Sequence, residues 1–172
     1  MIKCWIFGEM HTPEERDRVE KAIIELRREK KITLLLSEEI GEAEARTEKE
    51  LLNLLEKEHY SISDRSIRLA LDLYLPLVGI DDWNEKTFEH DKKDTEGNYT
   101  DCRYSFAVRE RRMLYVIQRS LKFNKGGIAV IIGDTHLRTT GNDVVGPPSI
   151  ITEVLSKRSD VEIIRSPIGE IK

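Results

Sequence analysis

The chain has 172 residues and a formal net charge of −4, with 35% charged and 39% hydrophobic residues. A negative balance argues against a broad nucleic-acid-binding surface, and the absence of an apolar run near 18 residues argues against a membrane span. Two cysteines, Cys4 and Cys102, fit a reduced cytoplasmic protein better than a disulfide scaffold.

The amino-terminal part predicts a strand followed by a helix. Residues 2 to 7 are mostly apolar and end at the motif GEMH, residues 8 to 11. Thr12 followed by Pro13 is typical of a helix start, with threonine as N-cap and proline at the first helical position. His11 therefore lies just before a helix N-terminus, where free backbone N–H groups attract anions.

Two further strands are predicted in the middle of the chain, over residues 32 to 36 and 77 to 80, and each is followed by adjacent acids. The acids are Glu38 and Glu39 after the first strand, and Asp81 and Asp82 after the second. The first pair also fits the acidic first turn of a following helix, an alternative left open. Helices are predicted over residues 42 to 58 and 64 to 75, the latter because Pro76 alone cannot join two strands of a sheet.

Residues 84 to 103 are polar and contain a Gly-Asn pair, so we expect an irregular, lid-like loop over the strand ends. Residues 104 to 123 predict a long helix. On its helical wheel Glu110 falls inside the apolar stripe and Arg109 at its edge. Buried charges are costly unless paired, so we expect both to find partners, either each other or the acidic strand ends. The alternative is that Arg109 extends along the apolar edge into solvent.

The most informative stretch is IAVIIGDTHLRT, residues 128 to 139. Its five apolar residues predict a strand buried on both faces. Asp134, His136 and Arg138 follow at once, and the strand–Gly–x–x–His pattern repeats that of the amino terminus.

After a loop rich in glycine and proline, Ser149 or a neighbour caps a last helix to about Lys157, and residues 161 to 164 predict a fifth strand. Strands alternating with helices predict a single α/β domain over residues 1 to 172. We expect a three-layer fold, with a mostly parallel five-stranded sheet and helices on both faces. Ligands bind beyond the carboxyl ends of the strands in such sheets, so the polar clusters should meet at one edge.

Two histidines beside carboxylates suit two kinds of chemistry. They can hold a divalent transition metal that activates water. Without a metal, a histidine oriented by a carboxylate can take a proton from water. In either case Arg109 would bind an anionic substrate group or stabilise developing negative charge.

Four motifs together resemble the superfamily of TraB/TIKI proteins, ChaN-like proteins and erythromycin esterases. They are GEMH at residues 8 to 11, SEEIG at 37 to 41, RERRM at 109 to 113, and GDTH at 133 to 136 ahead of VVGPPSI. The resemblance spans most of the chain and implies a site of His11, His136, Arg109 and one of Glu38 or Glu39, with Glu9 nearby. The sequence departs from the pattern in having Glu110 where asparagine or aspartate is usual, and the chain is shorter than most relatives.

The superfamily includes metal-dependent peptidases, metal-independent macrolide esterases and a haem-binding lipoprotein. The resemblance therefore implies a hydrolase of an ester or amide bond in a small-molecule or peptide substrate, compatible with a homodimer. A metal, if used, would be Zn, Mn or Co held by His11, His136 and Glu39. The predicted substrate contacts are Glu9, Asp81, Asp82, Asp134 and Arg138.

Two alternatives stay open. The same strand ends could form a non-catalytic module that binds an anionic ligand, a nucleotide or haem. Both histidines could also be hydrogen-bonded structural residues.

Overall fold

The computed structural model describes residues 1 to 57 and 63 to 168. Its strands are β1 (Cys4–Glu9), β2 (Leu34–Ser37), β3 (Glu44–Ala45), β4 (Leu77–Gly79), β5 (Lys92–Lys93), β6 (Tyr99–Asp101), β7 (Ile128–Gly133) and β8 (Val161–Ile164). Its helices are α1 (Pro13–Arg28), α2 (Glu48–Glu56), α3 (Arg65–Leu73), α4 (Glu85–Phe88), α5 (Arg103–Phe123) and α6 (Ile150–Leu155). Short 3₁₀ turns, Glu38–Ile40 and Asp134–Leu137, follow β2 and β7.

Six strands form one sheet in the order β3-β4-β2-β7-β1-β8, and only the β3–β4 pair is antiparallel. β7 pairs in parallel with both β1 and β2, so that Ile128 lies opposite Cys4 and Leu34. Gly133, at the end of β7, lies opposite Glu9. This confirms the predicted mostly parallel α/β sheet, with six strands in place of five.

Helices cover both faces of the sheet because alternate strand residues point to opposite sides. Ile6 and Val130 belong to a core with residues of α5 and α6, whereas Phe7 and Ile131 belong to a second core with residues of α1, α2 and α3. Fully burying one such side chain contributes about 1.5–3 kcal/mol. The three-layer arrangement is confirmed.

The predicted starts of the first and last helices hold, because the capping residues Thr12 and Ser149 define them. The Thr12 hydroxyl accepts a hydrogen bond from the backbone N–H of Glu15, at 3.3 Å, and α1 begins at Pro13. Ser149 caps α6 in the same way through the N–H of Ile151. α3 ends at Leu73, and Tyr74 takes a left-handed conformation ahead of Pro76.

The helix predicted over residues 42 to 58 is wrong in its first part, and residue 58 lies outside the described residues. Thr47 accepts a hydrogen bond from the N–H of Glu50 and starts the helix at Glu48, leaving Glu44–Ala45 to pair with β4. Leu51 is buried, whereas Leu52 is exposed.

The prediction that residues 84 to 103 are irregular is also wrong, whereas their role as a lid over the strand ends stays a prediction. This segment contains α4 and the β5–β6 hairpin. Asp94 orders the hairpin turn, because its side chain accepts hydrogen bonds from the backbone N–H groups of Glu96 and Asn98, both at 2.9 Å. Within residues 1 to 57 and 63 to 168, no helix is long and apolar enough to cross a membrane.

Candidate functional site

The carboxylate of Glu38 lies between the two predicted histidines. Its Oε1 is 3.3 Å from Nε2 of His11, and its Oε2 is 3.6 Å from Nε2 of His136. Oε1 also accepts a hydrogen bond from the backbone N–H of Gly133, at 2.5 Å. Glu38 and His136 are buried, whereas the His11 side chain is 41% exposed. His11 is therefore the member of the group that solvent can reach.

The parallel register brings these residues together. β7 lies between β1 and β2, so the residues that follow all three strands meet at the same edge of the sheet. Glu38 begins the 3₁₀ turn after β2, and His136 lies in the corresponding turn after β7. His11 has a φ of 59°, a left-handed conformation that costs a non-glycine residue about 1–2 kcal/mol. Residues held in such conformations cluster at active sites.

His11 and Glu38 form a charged pair. The carboxylates of Glu38 and then Glu9 raise the pKa of His11 to about 10, which outweighs the effect of its partial burial. Burial by itself would raise the pKa of Glu38, but the contact with His11 and the electrostatic interactions with His136 and Arg109 hold this pKa below its ordinary value. At neutral pH, His11 is thus an imidazolium and Glu38 a carboxylate.

Glu9 holds the other side of the His11 ring. Its Oε1 is 3.1 Å from His11 Nδ1, and the Glu9 side chain is fully buried. The same oxygen contacts the guanidinium of Arg65, a residue that sequence analysis did not single out. Arg65 precedes the buried Leu69 by one helical turn, and this spacing is the one hint in the sequence that it faces inward.

Glu39 is turned away from the histidines, although it is adjacent to Glu38. Its carboxylate accepts hydrogen bonds from the Ser63 hydroxyl at 2.7 Å, from Arg65 Nε at 2.9 Å and from the Ser66 hydroxyl at 2.8 Å. The predicted metal set of His11, His136 and Glu39 is therefore not brought together. Glu38 takes the place predicted for Glu39.

The ring of His136 packs against Phe106 and lies near Glu110. It stacks on Phe106 with ring centroids 4.8 Å apart, and its Nδ1 is 3.7 Å from Glu110 Oε1, beyond hydrogen-bonding distance. Glu110 is buried, as its place on the helical wheel predicts, and it pairs with Arg138. The Arg138 guanidinium also donates hydrogen bonds to three backbone carbonyls, those of Thr135, Val145 and Pro147.

Arg109 turns inward onto an acidic strand end, one of the two partners predicted for it. Its Nε and Nη2 donate hydrogen bonds to the two carboxylate oxygens of Asp81, at 2.9 and 2.7 Å. The Trp83 indole donates to the same carboxylate, at 2.9 Å. The guanidinium lies over the ring of Phe88, 5.4 Å from its centroid. The positive charge of Arg109 thus affects Glu38, while the Nε and Nη2 donors of its guanidinium are bound to Asp81.

The other predicted substrate contacts are engaged in local structure. Asp134 is buried and accepts two hydrogen bonds of 2.9 Å from Arg165 and one of 2.7 Å from the backbone N–H of Ser166. Asp82 accepts a hydrogen bond from the backbone N–H of Asn84. Arg138 pairs with Glu110 as described above. These three residues tie loops to the sheet edge around the histidines.

A metal does not fit this arrangement well. Within residues 1 to 57 and 63 to 168, no three histidine, cysteine or acidic side chains converge as a metal site. One Glu38 oxygen is already bonded to the backbone N–H of Gly133, and the carboxylate of Glu39 is engaged away from the histidines.

No protein-family model matches the chain, and no curated protein matches it. Its fold is similar to RRSP, a MARTX toxin effector domain from Vibrio vulnificus CMCP6, with 15% identity and a TM-score of 0.55, covering 94% of this chain and 32% of that one. Two structures described as bacterial protein toxins have identities of 15% and 11% and TM-scores of 0.56 and 0.52, each covering 94% of this chain and 33% of theirs. This chain therefore spans about a third of the length of these proteins. At such identities the similarity shows the fold alone.

Proposed function

We propose that the protein is a hydrolase of an ester or amide bond in a small-molecule or peptide substrate, and that it belongs to the TraB/TIKI, ChaN-like and erythromycin esterase superfamily. The observation that carries the proposal is the Glu38 carboxylate, 3.3 and 3.6 Å from two histidine Nε2 atoms at the carboxyl ends of parallel strands. The four sequence motifs support the same assignment.

The protonation states divide the roles between His11 and Glu38. Because His11 carries a proton at neutral pH, it acts as the general acid and not as the base. Glu38 is ionised, and its Oε2 is buried without a hydrogen-bond partner in the described part of the chain. Glu38 Oε2 is therefore the acceptor for a proton of the attacking water.

The reaction then balances without any other group. Water adds to the carbonyl carbon and gives one proton to Glu38, the bond to the leaving oxygen or nitrogen breaks, and His11 Nε2 protonates the leaving group. The products are a carboxylic acid and an alcohol or amine. Glu38 then loses the proton from Oε2, and His11, whose side chain is 41% exposed, takes one up from solvent, which restores the starting state. We assign His136 to the stabilisation of the developing oxyanion, since its ring is buried, stacked on Phe106, and has its Nε2 3.6 Å from Glu38 Oε2.

The test is hydrolysis of a panel of aryl esters, aryl amides and short peptides by the wild type and by Glu38→Gln, His11→Ala and His136→Ala. Loss of a positioned acid or base lowers the rate by about 10²–10⁴-fold. Matched controls are Glu42→Gln and His90→Ala, which change an exposed glutamate and an exposed histidine. Equal hydrolysis by the wild type and by Glu38→Gln would contradict the proposal.

The requirement for a metal is tested in the same assay. Chelator-treated enzyme is compared with enzyme supplied with Zn²⁺, Mn²⁺ or Co²⁺. The contacts of Glu38 and Glu39 favour activity that is insensitive to the chelator.

A ligand-binding module is the second candidate. The observation that favours it is the positive charge of His11, 41% exposed and next to the first turn of α1. Thermal shift measurements with phosphate, a nucleotide and haem discriminate between the two functions. A ligand that stabilises the protein strongly and is recovered unchanged supports binding without turnover.

A further inference from the structure

We propose that Arg65 is a positioning residue for the site. It holds the Glu9 carboxylate in the orientation that contacts Nδ1 of the His11 ring. The proposal rests on the proposed function only in treating His11 as catalytic.

Arg65 lies between two buried carboxylates. Its side chain is 9% exposed, whereas those of Glu9 and Glu39 are 0% and 1% exposed. Nη2 contacts Glu9 Oε1 and lies 2.9 Å from Glu39 Oε1, and Nε donates a hydrogen bond to the same Glu39 oxygen. One guanidinium thus joins the acid that follows β2 to the acid at the end of β1.

The start of α3 fixes the position of Arg65. The hydroxyl of Ser66, the next residue, donates to Glu39 at 2.8 Å and is 2.7 Å from the hydroxyl of Ser37 at the end of β2. Both serines and Glu39 are buried. The guanidinium therefore projects from a backbone that is anchored to the sheet.

Glu9 depends on a single oxygen for both of its contacts. Oε1 meets Arg65 Nη2 on one side and His11 Nδ1, at 3.1 Å, on the other. Oε2 is buried without a hydrogen-bond partner in the described residues. Without Arg65, His11 alone would hold the Glu9 carboxylate.

The charges point to the same role. Arg65 lies between the buried carboxylates of Glu9 and Glu39, and His11 is the second cation that contacts Glu9. Two neighbouring buried carboxylates that lose the counter-charge between them are less able to stay ionised together. Removal of Arg65 therefore makes one of them take up a proton or makes Glu9 turn away. In both cases His11 loses part of the negative charge that keeps it protonated and the contact that orients its ring.

The experiment is NMR titration of the His11 imidazole in the wild type, Arg65→Met and Arg65→Gln, which requires no substrate. We expect the pKa of His11 to fall from about 10 by about one unit or more in both variants. Arg165→Met is the matched control, because it removes an arginine that pairs with another buried acid, Asp134. This control should leave the His11 titration unchanged.

A second comparison shows whether Arg65 acts through Glu9. Glu9→Gln lowers the pKa of His11, and we expect Arg65→Met to add no further shift in that background. Circular dichroism shows which variants fold, and Arg65→Gln, which fills the same space, carries the test if Arg65→Met does not. An unchanged or raised pKa of His11 in a folded Arg65 variant overturns the proposal. The proposal is also overturned if Arg65→Met shifts the pKa of His11 equally in the wild-type and Glu9→Gln backgrounds.

Kinetics separate this proposal from the proposed function. If the protein hydrolyses the panel, the Arg65 variants should lose up to about 100-fold in kcat with little change in KM. If the pKa of His11 falls in the Arg65 variants but the wild type hydrolyses no substrate of the panel, the positioning role is supported and the proposed hydrolase is contradicted. If the pKa of His11 is unchanged in the Arg65 variants and His11→Ala abolishes hydrolysis, the proposed hydrolase is supported and the positioning role is contradicted.

Discussion

Removing the carboxylate of Glu110 should destabilise the protein strongly, because Arg138 would become a buried cation without a counter-charge. The two residues are 2% and 8% exposed, so solvent cannot replace the lost partner. Breaking such a buried pair costs about 3–5 kcal/mol. In a chain of this size each kcal/mol lowers Tm by about 2–4 °C. For Glu110→Ala we therefore expect a Tm lower by roughly 6–20 °C.

Urea denaturation and thermal melting measure this effect, with Arg111→Ala as the control. Arg111 is the next residue of α5 and is exposed, and such surface substitutions usually stay within about 0.5 kcal/mol. The double variant Glu110→Leu with Arg138→Met should be more stable than Glu110→Ala, since it removes both charges. If Glu110→Ala is as stable as Arg111→Ala, the buried pair of Glu110 and Arg138 does not contribute the stability assigned to it.

Two further predictions concern the site itself. In Gly133→Ala, an added Cβ would lie 2.8 Å from Glu38 Oε1 and 3.3 Å from His11 Nε2, while the backbone, with φ −61° and ψ 132°, accepts alanine. We expect about tenfold or greater loss of hydrolysis, because displacement of a reacting group lowers the rate. The free energy of unfolding in urea should stay within about 1 kcal/mol of the wild type. Normal activity would show that the observed position of Glu38 is not required for hydrolysis. The raised pKa of His11 stabilises the fold fully below pH 6.5, and this contribution is lost as the pH rises from 6.5 to about 10. The difference in unfolding free energy between the wild type and His11→Gln should shrink over that range, and a constant difference would contradict the pairing of His11 with Glu38 and Glu9.

The sequence by itself predicted the strands β1, β2, β4, β7 and β8 and the edge of the sheet where polar residues meet. It missed β3, α4 and the β5–β6 hairpin. Apolar runs predicted the buried strands, and Thr12 and Ser149 defined helix starts through local hydrogen bonds. Because parallel strands end at the same edge, the residues after β1, β2 and β7 were expected at one edge, and the strand order β2-β7-β1 makes them neighbours. The wheel of α5 predicted the burial of Glu110 because helical periodicity is a local property.

Only the tertiary structure decided which of two adjacent acids joins the histidines. Glu38 and Glu39 are the same residue type at adjacent positions, so the sequence cannot distinguish them. In the structure the carboxylate of Glu39 accepts hydrogen bonds from Ser63, Arg65 and Ser66, whereas that of Glu38 accepts one from the backbone N–H of Gly133. Sequence patterns predicted an acidic strand end as a partner of Arg109, which is the pair with Asp81. They did not predict the partners of Arg65 or the pairing of Glu110 with Arg138, since these pairs join residues far apart in the chain and depend on side-chain geometry. Local pattern therefore determines strands, caps and the edge they share, whereas the pairing of buried charges is a property of the packed molecule.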